Sequence, residues 1–432
     1  MTTTTNNEQK KLNFSSEREQ SQACLNSAEH EKNQGRKVLN VPNLRFPEFQ
    51  GEWEKCTLED VINFSTTRVN SSELNKDNYV STENMLQDYQ GIVKAKSVPE
   101  DVNVVSFSCG DVLISNIRPY LKKVWKATFN GGCSSDVFVL KANDNIESDY
   151  LHYVIANDKF INFVMSGTKG VKMPRGDKKQ METYSLSLPQ IQEQHKIARL
   201  LSLLDERIAT QNKIIDKLQS LIKGMEDNLL DNPLWEKTYL RSFMQFFPTN
   251  SLSWEQLSYK EGAIRNLHYG LIHGFQTRGI NSASLPMIKN EAIPKQYTLC
   301  QVGDVAFADA SEDTGEIAKS VEFVDTIEGD TICGLHTIHG RDIKNRTVVG
   351  FNGFAFNSRY FHNQIKRLAQ GAKVFSITAN NLSSCYVYLP DLETQKAIVK
   401  LLKAYEAQLI VSRKTLKQYE NQKQYLLRQM CI

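Results

Sequence analysis

The chain has 432 residues, of which 40% are hydrophobic and 23% charged, and its formal net charge is +3. This composition is typical of a globular protein with two or three domains and excludes a low-complexity chain. No apolar run reaches the roughly 18 residues of a membrane-spanning helix, and the first residues lack a secretory signal, so we expect a cytoplasmic protein. The small net charge means that any surface for a polyanion must come from local clusters of cations.

The first half of the chain predicts a leader, a globular domain and a long helix. Residues 1–40 are rich in Thr, Asn, Gln, Glu and Ser, which predicts a disordered leader, and residues 41–189 predict an α+β domain. A long helix covers residues 190–232, and Pro233 ends it because proline cannot continue a helix. In the globular domain we predict strands at Val102 to Phe107, Asp111 to Ile117 and Asp136 to Leu140, and helical spacing from Tyr150 to Met165.

The second half repeats this order, with a globular domain at residues 233–389 and a C-terminal helix at 390–432. Short Gly and Asn turns separate several of its strands. The predicted strands are Thr298 to Leu299, Asp304 to Ala308, Ile317 to Val324, Thr331 to Thr337 and Thr347 to Phe351. The fold class is therefore α+β, with two α/β domains separated by two long helices.

Both helices carry apolar residues in the alternating four–three spacing of a coiled-coil seam, which is about 50 Å long at 1.5 Å per residue. The first seam is Ile197, Leu201, Leu204, Ile208, Gln211, Ile215, Leu218 and Ile222. The second is Ile398, Leu402, Tyr405, Leu409, Ser412, Leu416 and Tyr419, each 201 positions after its counterpart. Further apolar residues flank the first seam at Leu200, Ile214 and Leu221, so either another subunit or the globular domains cover that wider stripe.

The repeat continues upstream of the helices. The segment from Pro189 to Ile197 matches Pro390 to Ile398, and Gly170 to Met173 matches Gly371 to Val374, both at an offset of 201. Farther upstream the offset falls: Gly110-Asp111-Val112 matches Gly303-Asp304-Val305, and Trp53-Glu54-Lys55 matches Trp235-Glu236-Lys237. A constant offset in the helices and a drifting one elsewhere indicates a duplicated unit with a variable globular part.

Duplication makes a pseudo-two-fold arrangement with antiparallel helices the simplest prediction. Gln211 and Ser412 lie near the helix midpoints, so an antiparallel pair brings these two polar residues together. We expect this polar layer to fix the register of the pair. Two domains on a rod suit a ligand with two separated features, such as DNA, whose helical turn of roughly 34 Å is comparable with the rod.

Motifs for catalysis or metal binding are weak. The chain has no P-loop, and Asn232-Pro233-Leu234-Trp235 is better explained as a helix end than as an adenine methyltransferase motif. The acids Asp391 and Glu393 suit a helix N-terminus. His336 and His339 are candidate metal ligands, but we favour ordinary polar contacts for them, and the eight cysteines form no Cys-x-x-Cys pair. We therefore predict no catalytic residue, no metal and no cofactor in this chain.

Basic and aromatic residues cluster in both globular domains, where such loops can follow phosphates and Arg can bind a guanine edge. For any one of them, a solvated loop residue is an equally good interpretation. The nucleic-acid-binding candidates are Arg118, Tyr120, Lys122, Lys123, Lys126, Lys169, Lys172 and Arg175 in the first domain and Arg265, His268, Arg278, His336, His339, Arg341, Lys344 and Lys373 in the second.

Taken together, these motifs resemble the DNA specificity subunit of type I restriction–modification systems, over residues 41–432. The resemblance is carried by the paired openings at Pro189 and Pro390 and by the two seams. It is also carried by the segments Pro42 to Phe49, Gly51 to Trp53, Gly110 to Ser115, Ile117 to Pro119 and Gly334 to Asp342.

The resemblance implies that each globular domain is a target recognition domain reading one half of a split, asymmetric site in double-stranded DNA. It implies that the helices set the spacer and dock two modification (methyltransferase) subunits, to which two restriction subunits are added. S-adenosylmethionine, ATP and Mg would be used by those partners. Two alternatives remain: a stand-alone methyltransferase or nuclease, against which the missing motifs argue, and a coiled-coil scaffold without a DNA role.

Overall fold

A computed structural model describes residues 40–431 except 169, 171, 276, 326 and 328, so the predicted leader up to residue 39 lies outside the described residues. The chain divides into two compact units, bounded as Met1–Glu206 with Asn421–Ile432 (unit 1) and Arg207–Glu420 (unit 2). None of the described helices combines the length and apolar composition that a membrane crossing requires.

Unit 1 is an α+β assembly to which both long helices contribute. Its strands are β1 (Glu54–Thr57), β2 (Ile62–Phe64), β3 (Arg68–Asn70), β4 (Tyr79–Val80), β5 (Asn103–Phe107), β6 (Val112–Ser115), β7 (Val124–Lys126), β8 (Gly131–Cys133), β9 (Val137–Ala142) and β10 (Ser185–Leu188). Its helices are α1 (Ser148–Ile155), α2 (Asp158–Ser166), α3 (Lys178–Glu182) and the first part of α4 (Ile191–Leu230).

Unit 2 contains the remaining elements. Its strands are β11 (Glu236–Tyr239), β12 (Met244–Phe247), β13 (Leu257–Ser258), β14 (Ile264–Leu267), β15 (Gly279–Ile280), β16 (Met287–Ile288), β17 (Val305–Ala308), β18 (Ala310–Ser311), β19 (Ser320–Phe323), β20 (Thr331–Cys333), β21 (Thr337–Asp342), β22 (Phe375–Ser376) and β23 (Tyr386–Leu389). Its helices are α5 (Tyr269–Gly274), α6 (Phe351–Ala355), α7 (Arg359–Leu368), α8 (Ala379–Ser384) and most of α9 (Leu392–Met430).

The two units share the strand order of their main sheet. Unit 1 has a sheet in the order β2-β9-β6-β7, and unit 2 has the equivalent order β12-β21-β17-β19, extended by β15. A second sheet in each unit ends in a parallel pair, β4 with β8 and β14 with β20. The strand before the domain pairs with the strand before the helix in both, as β1 with β10 and β11 with β23. The internal duplication predicted from residue offsets is therefore a duplication of fold.

The repeated Gly-Asp-Val segment forms the same turn twice. Gly110 and Gly303 both have positive φ, 98° and 91°, which favours glycine there. The carboxylate of Asp111 accepts the N–H of Ser108 at 2.8 Å, and that of Asp304 accepts the N–H of Gln301 at 2.7 Å. The turn delivers the chain into β6 in unit 1 and β17 in unit 2, which are fully buried strands.

A buried glutamine holds the start of each long helix. The Gln194 amide donates to the carbonyls of Pro189 (2.8 Å) and Asn145 (3.1 Å), and its oxygen accepts the N–H of Glu147 at 2.7 Å. Gln395 makes the equivalent three bonds in unit 2. Its amide donates to the carbonyls of Pro390 and Arg346, both at 3.0 Å, and its oxygen accepts the N–H of Val348 at 3.0 Å. The predicted Pro-to-Gln repeat is thus a helix-anchoring device.

The N-terminal segment of unit 1 adds a second anchor at the same helix start. The Arg45 guanidinium donates two bonds of 2.8 Å to the buried carboxylate of Glu193, a bidentate pair. The indole of Trp53 donates to the same carboxylate at 3.2 Å. Thr394 occupies the position of Glu193 in the second copy, where it donates instead to Asp391. The anchor in unit 1 therefore has no counterpart of the same chemistry in unit 2.

The long helices pack along the predicted seam, in which every position is buried or partly buried. In unit 2, Ile215, Ile222 and Leu409 form a buried cluster. The Gln211 amide donates to the backbone carbonyl of Ser412 at 3.2 Å, so the two polar seam residues do meet. The Arg207 guanidinium lies 6.0 Å from the ring of Tyr419, so residue numbers rise on one helix as they fall on the other. Within unit 2 the pair is antiparallel.

Several predicted element bounds were wrong. The helical segment from Tyr150 to Met165 is two helices, because Asn157 accepts the N–H of Lys159 and caps α2. The predicted strand from Thr331 to Thr337 breaks into β20 and β21 at His336, which has positive φ. Thr298 to Leu299 is a single bridge from Leu299 rather than a strand.

The predicted strand from Thr347 to Phe351 is a loop that enters helix α6. The buried carboxylate of Glu322 accepts the N–H groups of Gly350 (2.6 Å) and Gly353 (2.7 Å). Unpaired N–H groups at a helix N-terminus attract an anion, so this carboxylate favours the helical turn. The apolar run predicted a strand because the pattern does not reveal a carboxylate from β19.

Replacing the anchoring glutamine should destabilise its unit. The change Gln194→Leu leaves three buried backbone groups without a hydrogen-bond partner. Each unpaired group lowers the free energy of unfolding by about 1–3 kcal/mol. We expect the thermal unfolding midpoint of the full-length chain to fall clearly. The control Gln192→Leu changes an exposed residue of the same helical turn and should have little effect. Equal midpoints for the two variants would contradict the anchoring role.

Replacing the polar seam residue Gln211 should instead raise the thermal unfolding midpoint. The change Gln211→Leu loses a hydrogen bond worth about 1 kcal/mol but buries an apolar side chain in the seam. We expect a higher thermal midpoint, together with faster hydrogen exchange in α4 and α9 if the polar layer fixes register. Asn212→Leu, at an exposed position of the same turn, is the control. A clear fall in the midpoint of Gln211→Leu would contradict this prediction.

Candidate nucleic-acid interface

The two basic segments predicted in unit 1 meet at one loop junction. Ile117 and Arg175 form an antiparallel bridge, and the N–H of Arg118 donates to the carbonyl of Pro174 at 2.8 Å. The N–H of Gly176 donates to the carbonyl of Asn116 at 2.7 Å. Segments that are about 58 residues apart in the sequence therefore present one surface. We call this the unit 1 junction.

The backbone of the unit 1 junction turns sharply around Pro119–Leu121, a single 3-10 turn. Arg118 and Lys122, on either side of it, both have the left-handed conformation, with φ of 49° and 54°. This turn leaves the aromatic side chain of Tyr120 49% exposed. Left-handed conformations in residues other than glycine carry strain and often mark functional loops.

Most of the predicted cations at this junction already have partners. Lys122 pairs with Asp158 at 2.8 Å, Lys126 pairs with Asp149, and Arg175 pairs with Asp136 at 2.8 Å. Lys123 donates to the carbonyl of Thr82 at 2.5 Å. Its pKa is lowered by burial and by the nearby charge of Arg118.

Arg118 and Lys172 are exposed and have no ion pair within the described part of the chain. Together with Tyr120 they are the side chains of the unit 1 junction that are most available to a ligand. Lys169, the remaining candidate of this unit, lies outside the described residues.

Asp158 shows how these ion pairs act on their acids. Burial alone would raise the pKa of Asp158, but hydrogen bonds from Lys122 and from the Tyr89 hydroxyl hold it below its ordinary value. The carboxylate therefore stays charged and keeps Lys122 oriented along the loop. The ring of Tyr89 also lies 5.9 Å from the Lys122 ammonium, which is cation–π distance.

Unit 2 has the equivalent junction with different side chains. The N–H of Ile377 donates to the carbonyl of Asp309 at 2.9 Å, as that of Gly176 does to Asn116 in unit 1. Strands β18 and β22 pair beside it. Lys373 is exposed in the adjoining loop, at the position equivalent to Lys172.

His336 occupies the tip of the unit 2 junction. Its Nδ1 lies 3.0 Å from a carboxylate oxygen of Asp309, and about half of its side chain is exposed. A row of aromatic rings leads away from it: Tyr269 at 5.2 Å from His336, His268 at 4.8 Å from Tyr269, and Trp254 at 4.4 Å from His268. Tyr269 and Trp254 were missed as candidates, although the tripeptide His268-Tyr269-Gly270 carried an aromatic signal.

Two candidates are corrected because they are buried. His268 is 3% exposed, and its Nδ1 accepts the N–H of Gly270 at the start of α5. Burial, with a smaller effect of His336, lowers the pKa of His268, so the ring is held neutral in the interior. His339 is 1% exposed, and its Nε2 lies 2.7 Å from a carboxylate oxygen of Asp304. Neither side chain reaches the surface of unit 2.

Three arginines are engaged inside unit 2 rather than on an open surface. Arg265 donates to the carbonyls of Ala283 and Leu285. Arg278 lies 3.7 Å from Glu226 of α4, and its N–H donates to Glu406 of α9. Arg341 donates two bonds of 2.7 Å to Asp304. Lys344, by contrast, is exposed just beyond β21.

The sequence matches the family described as the type I restriction modification DNA specificity domain over residues 50–220 and 334–421, more than half of the chain. Two relatives come from Methanocaldococcus jannaschii. The MjaVIII specificity subunit is 27% identical over 316 residues, which cover 69% of this chain and 72% of the relative. The putative MjaX specificity subunit is 26% identical over 421 residues, which cover 90% and 95% of the two chains.

Solved structures agree at the level of the fold. The S subunit of a type I system from M. genitalium has a TM-score of 0.57 and 15% identity, covering 90% of this chain and 98% of its own. A chain from a study of complex assembly and conformational transition of the type I R-M system has a TM-score of 0.55 and 16% identity, with coverage of 88% and 97%. On the family match, the chain belongs to the type I restriction–modification DNA specificity family, as its sequence motifs indicated.

Proposed function

We propose that this chain selects the DNA target of a type I restriction–modification enzyme, with one target recognition domain in each unit reading one half of a split, asymmetric site. The observation that carries the proposal is the pair of equivalent junctions. Both are built on the same hydrogen bonds, yet one presents Arg118, Tyr120 and Lys172 and the other His336 and Lys373. A constant scaffold with different exposed side chains suits two different half-sites.

The side chains available at the junctions fit DNA. Arg118 can donate two bonds to a guanine edge, and an exposed Lys can contact a phosphate. Tyr120, Tyr269 and Trp254 add aromatic surface for bases or sugars. The paired acids Asp136, Asp158 and Asp309 repel phosphates where they stand, which restricts the directions in which the backbone of a duplex can cross each junction.

The long helices have the properties of a docking surface for partner subunits. Large apolar side chains remain exposed on α4 and α9, among them Ile214 and Leu221 of the predicted flanking stripe. Others are Leu203, Leu401, Val411 and Tyr425. Exposed apolar surface of this kind marks protein–protein contacts. We assign it to two modification subunits, to which two restriction subunits are added.

Catalysis belongs to those partners in this proposal. The modification subunits would use S-adenosylmethionine to methylate adenine in both half-sites, and the restriction subunits would use ATP and Mg²⁺. This chain would recognise the target sequence and set the spacing between its half-sites. It would act in the cytoplasm and use no cofactor of its own. A stand-alone enzyme and a scaffold without a DNA role are the alternatives that the experiments below distinguish.

Methylation mapping tests the function directly. We expect a methylase-deficient host that expresses this chain with a type I modification subunit to show one split motif, methylated on adenine in each half. The motif should disappear when this chain is left out. Methylation by this chain without a partner would reveal an active site in it. A stable complex without any methylated motif would favour the scaffold.

The junction residues predict how binding to the mapped site depends on salt. Lys172→Ala should remove one phosphate contact and lower the slope of log affinity against log salt by about 1. Arg118→Ala should cost about 1–3 kcal/mol and relax specificity at one base pair. Both are measured as affinity of the complex with its modification subunit. Lys417→Ala, an exposed lysine of α9, is the charge-matched control. Wild-type affinity in both junction variants would contradict the assignment.

A further inference from the structure

A cluster of metal-ligand side chains lies in the core of unit 2. It consists of Cys300, Cys333 and His339, all buried, and one donor atom from each lies within 4.8 Å of the other two. The three residues come from different segments: the turn before β17, the end of β20 and the middle of β21. Strands β20 and β21 belong to different sheets. The cluster therefore joins the two largest sheets of unit 2.

The distances fit a tetrahedral thiophilic metal ion. The two sulfur atoms are 3.6 Å apart. Two thiolates bound to one tetrahedral zinc ion at 2.3 Å each lie roughly 3.8 Å apart. A disulfide would need the sulfurs within about 2.05 Å, which is much closer than the observed separation.

His339 has the kind of carboxylate partner that zinc-binding histidines have. Its Nε2 faces Asp304 at 2.7 Å, and Arg341 holds the same carboxylate with two further bonds. When the carboxylate accepts a hydrogen bond from Nε2–H, the lone pair of the neutral ring is on Nδ1. Carboxylate–histidine–metal arrangements of this type fix the tautomer and the ring orientation of zinc ligands. The ordinary polar contact expected for His339 is thus present. The other ring nitrogen, Nδ1, would be the metal ligand.

The duplicated fold supplies an internal comparison. Cys133 ends β8 as Cys333 ends β20, and it is the unit 1 counterpart of that ligand. Because Asp111 and Asp304 occupy equivalent turns, Phe107 is the counterpart of Cys300. These unit 1 positions form an ordinary apolar core.

The third ligand follows from strand register. Leu113 pairs with Val139 in unit 1, and Ala306 pairs with His339 at the equivalent place in unit 2. Unit 2 therefore has Cys, His and Ala where unit 1 packs Phe, Val and Leu. Phe to Cys and Leu to Ala reduce the side-chain volume, whereas Val to His brings in a ring nitrogen. Unit 2 thus has two new donor atoms, from Cys300 and His339, beside a cysteine at a place that is apolar in unit 1.

A fourth ligand is available as water. Thr331 precedes Cys333 by two residues in β20, so their side chains lie on the same face of the strand. Its hydroxyl is buried and has no hydrogen-bond partner in the part of the chain that the structure describes. A metal-bound water that donates to this hydroxyl would complete both the coordination and the hydrogen bonding.

We propose that Cys300, Cys333 and His339 bind one zinc ion, with Asp304 as the carboxylate that positions His339 and a water as the fourth ligand. Binding releases the thiol protons to solvent and involves no oxidation. The ion would join the two largest sheets of unit 2, next to the loop between β20 and β21 that carries His336. Its role is structural, and it is independent of the catalysis assigned to the partner subunits.

Zinc content of the purified complex with the modification subunit tests this. We expect one zinc ion per copy of this chain, measured by inductively coupled plasma mass spectrometry. The ion should be absent or bound at least 10-fold more weakly in Cys300→Ser and His339→Gln, and Asp304→Asn should weaken binding by roughly 10–100-fold. Cys385→Ser, which changes another buried thiol of unit 2, is the matched control and should keep its zinc.

Two further measurements distinguish loss of the metal site from loss of folding. Co²⁺ added to the metal-free wild-type chain should give sulfur-to-cobalt charge-transfer bands and the visible spectrum of tetrahedral cobalt. The triple variant Cys300→Phe, Ala306→Leu and His339→Val copies the unit 1 core, so it should fold without zinc and show no thermal shift when zinc is added. A wild-type chain that binds neither metal stoichiometrically overturns the proposal. A Cys300–Cys333 disulfide in protein purified from cells with a reducing cytoplasm would overturn the zinc proposal in favour of a redox-active cysteine pair.

Discussion

Each long helix has a buried glutamine at its start, whose amide binds three backbone groups in two separate segments. The side chain of Gln194 or Gln395 reaches the proline turn before the helix and the loop that follows the last strand of the main sheet. Only an amide offers two donors and an acceptor in this geometry without bringing a charge into the interior. An apolar residue would leave three backbone groups unpaired. The globular part of each unit and its helix are therefore fixed to each other by one residue type.

This anchor explains why the duplication is strict in one place and loose in another. Offsets between the copies are constant from Gly170 onwards, where the chain enters the anchor and the seam, and they drift before it. The strand order is kept nevertheless, since β2-β9-β6-β7 and β12-β21-β17-β19 follow the same path. Loops can change length without disturbing a sheet, whereas one inserted residue would rotate a helix seam by about 100°. Selection for packing therefore fixes the helices and leaves the loops free to differ in what they present.

Sequence reasoning succeeded where the structural cause is local. The seam from Ile197 to Ile222 and its copy were predicted because periodicity is written in neighbouring residues, and the polar pair of Gln211 and Ser412 followed from it. It failed where the cause is a distant partner. The run from Thr347 to Phe351 looked like a strand because nothing nearby reveals that Glu322 binds the amides of Gly350 and Gly353.

The same limit applies to the predicted site residues. Basic and polar residues were selected by type, and type does not show whether a side chain already has a partner. His339 and Arg341 both contact the carboxylate of Asp304. Arg278 contacts one glutamate on each long helix. The sequence also did not reveal that two loops meet at the unit 1 junction, because the bridge from Ile117 to Arg175 is a tertiary contact.

The charge distribution at the junctions argues for recognition by shape and polar contacts rather than by bulk attraction. Three of the predicted cations of unit 1 are paired with acids, and the net charge of the whole chain is only +3. A DNA-binding surface with few unpaired cations gains little from counterion release, so its affinity depends weakly on salt. Under the proposed function, most of the non-specific affinity would then come from partner subunits, while this chain contributes the difference in affinity between one sequence and another. That division of labour suits a subunit whose exposed loop residues differ between its two halves while the scaffold beneath them stays the same.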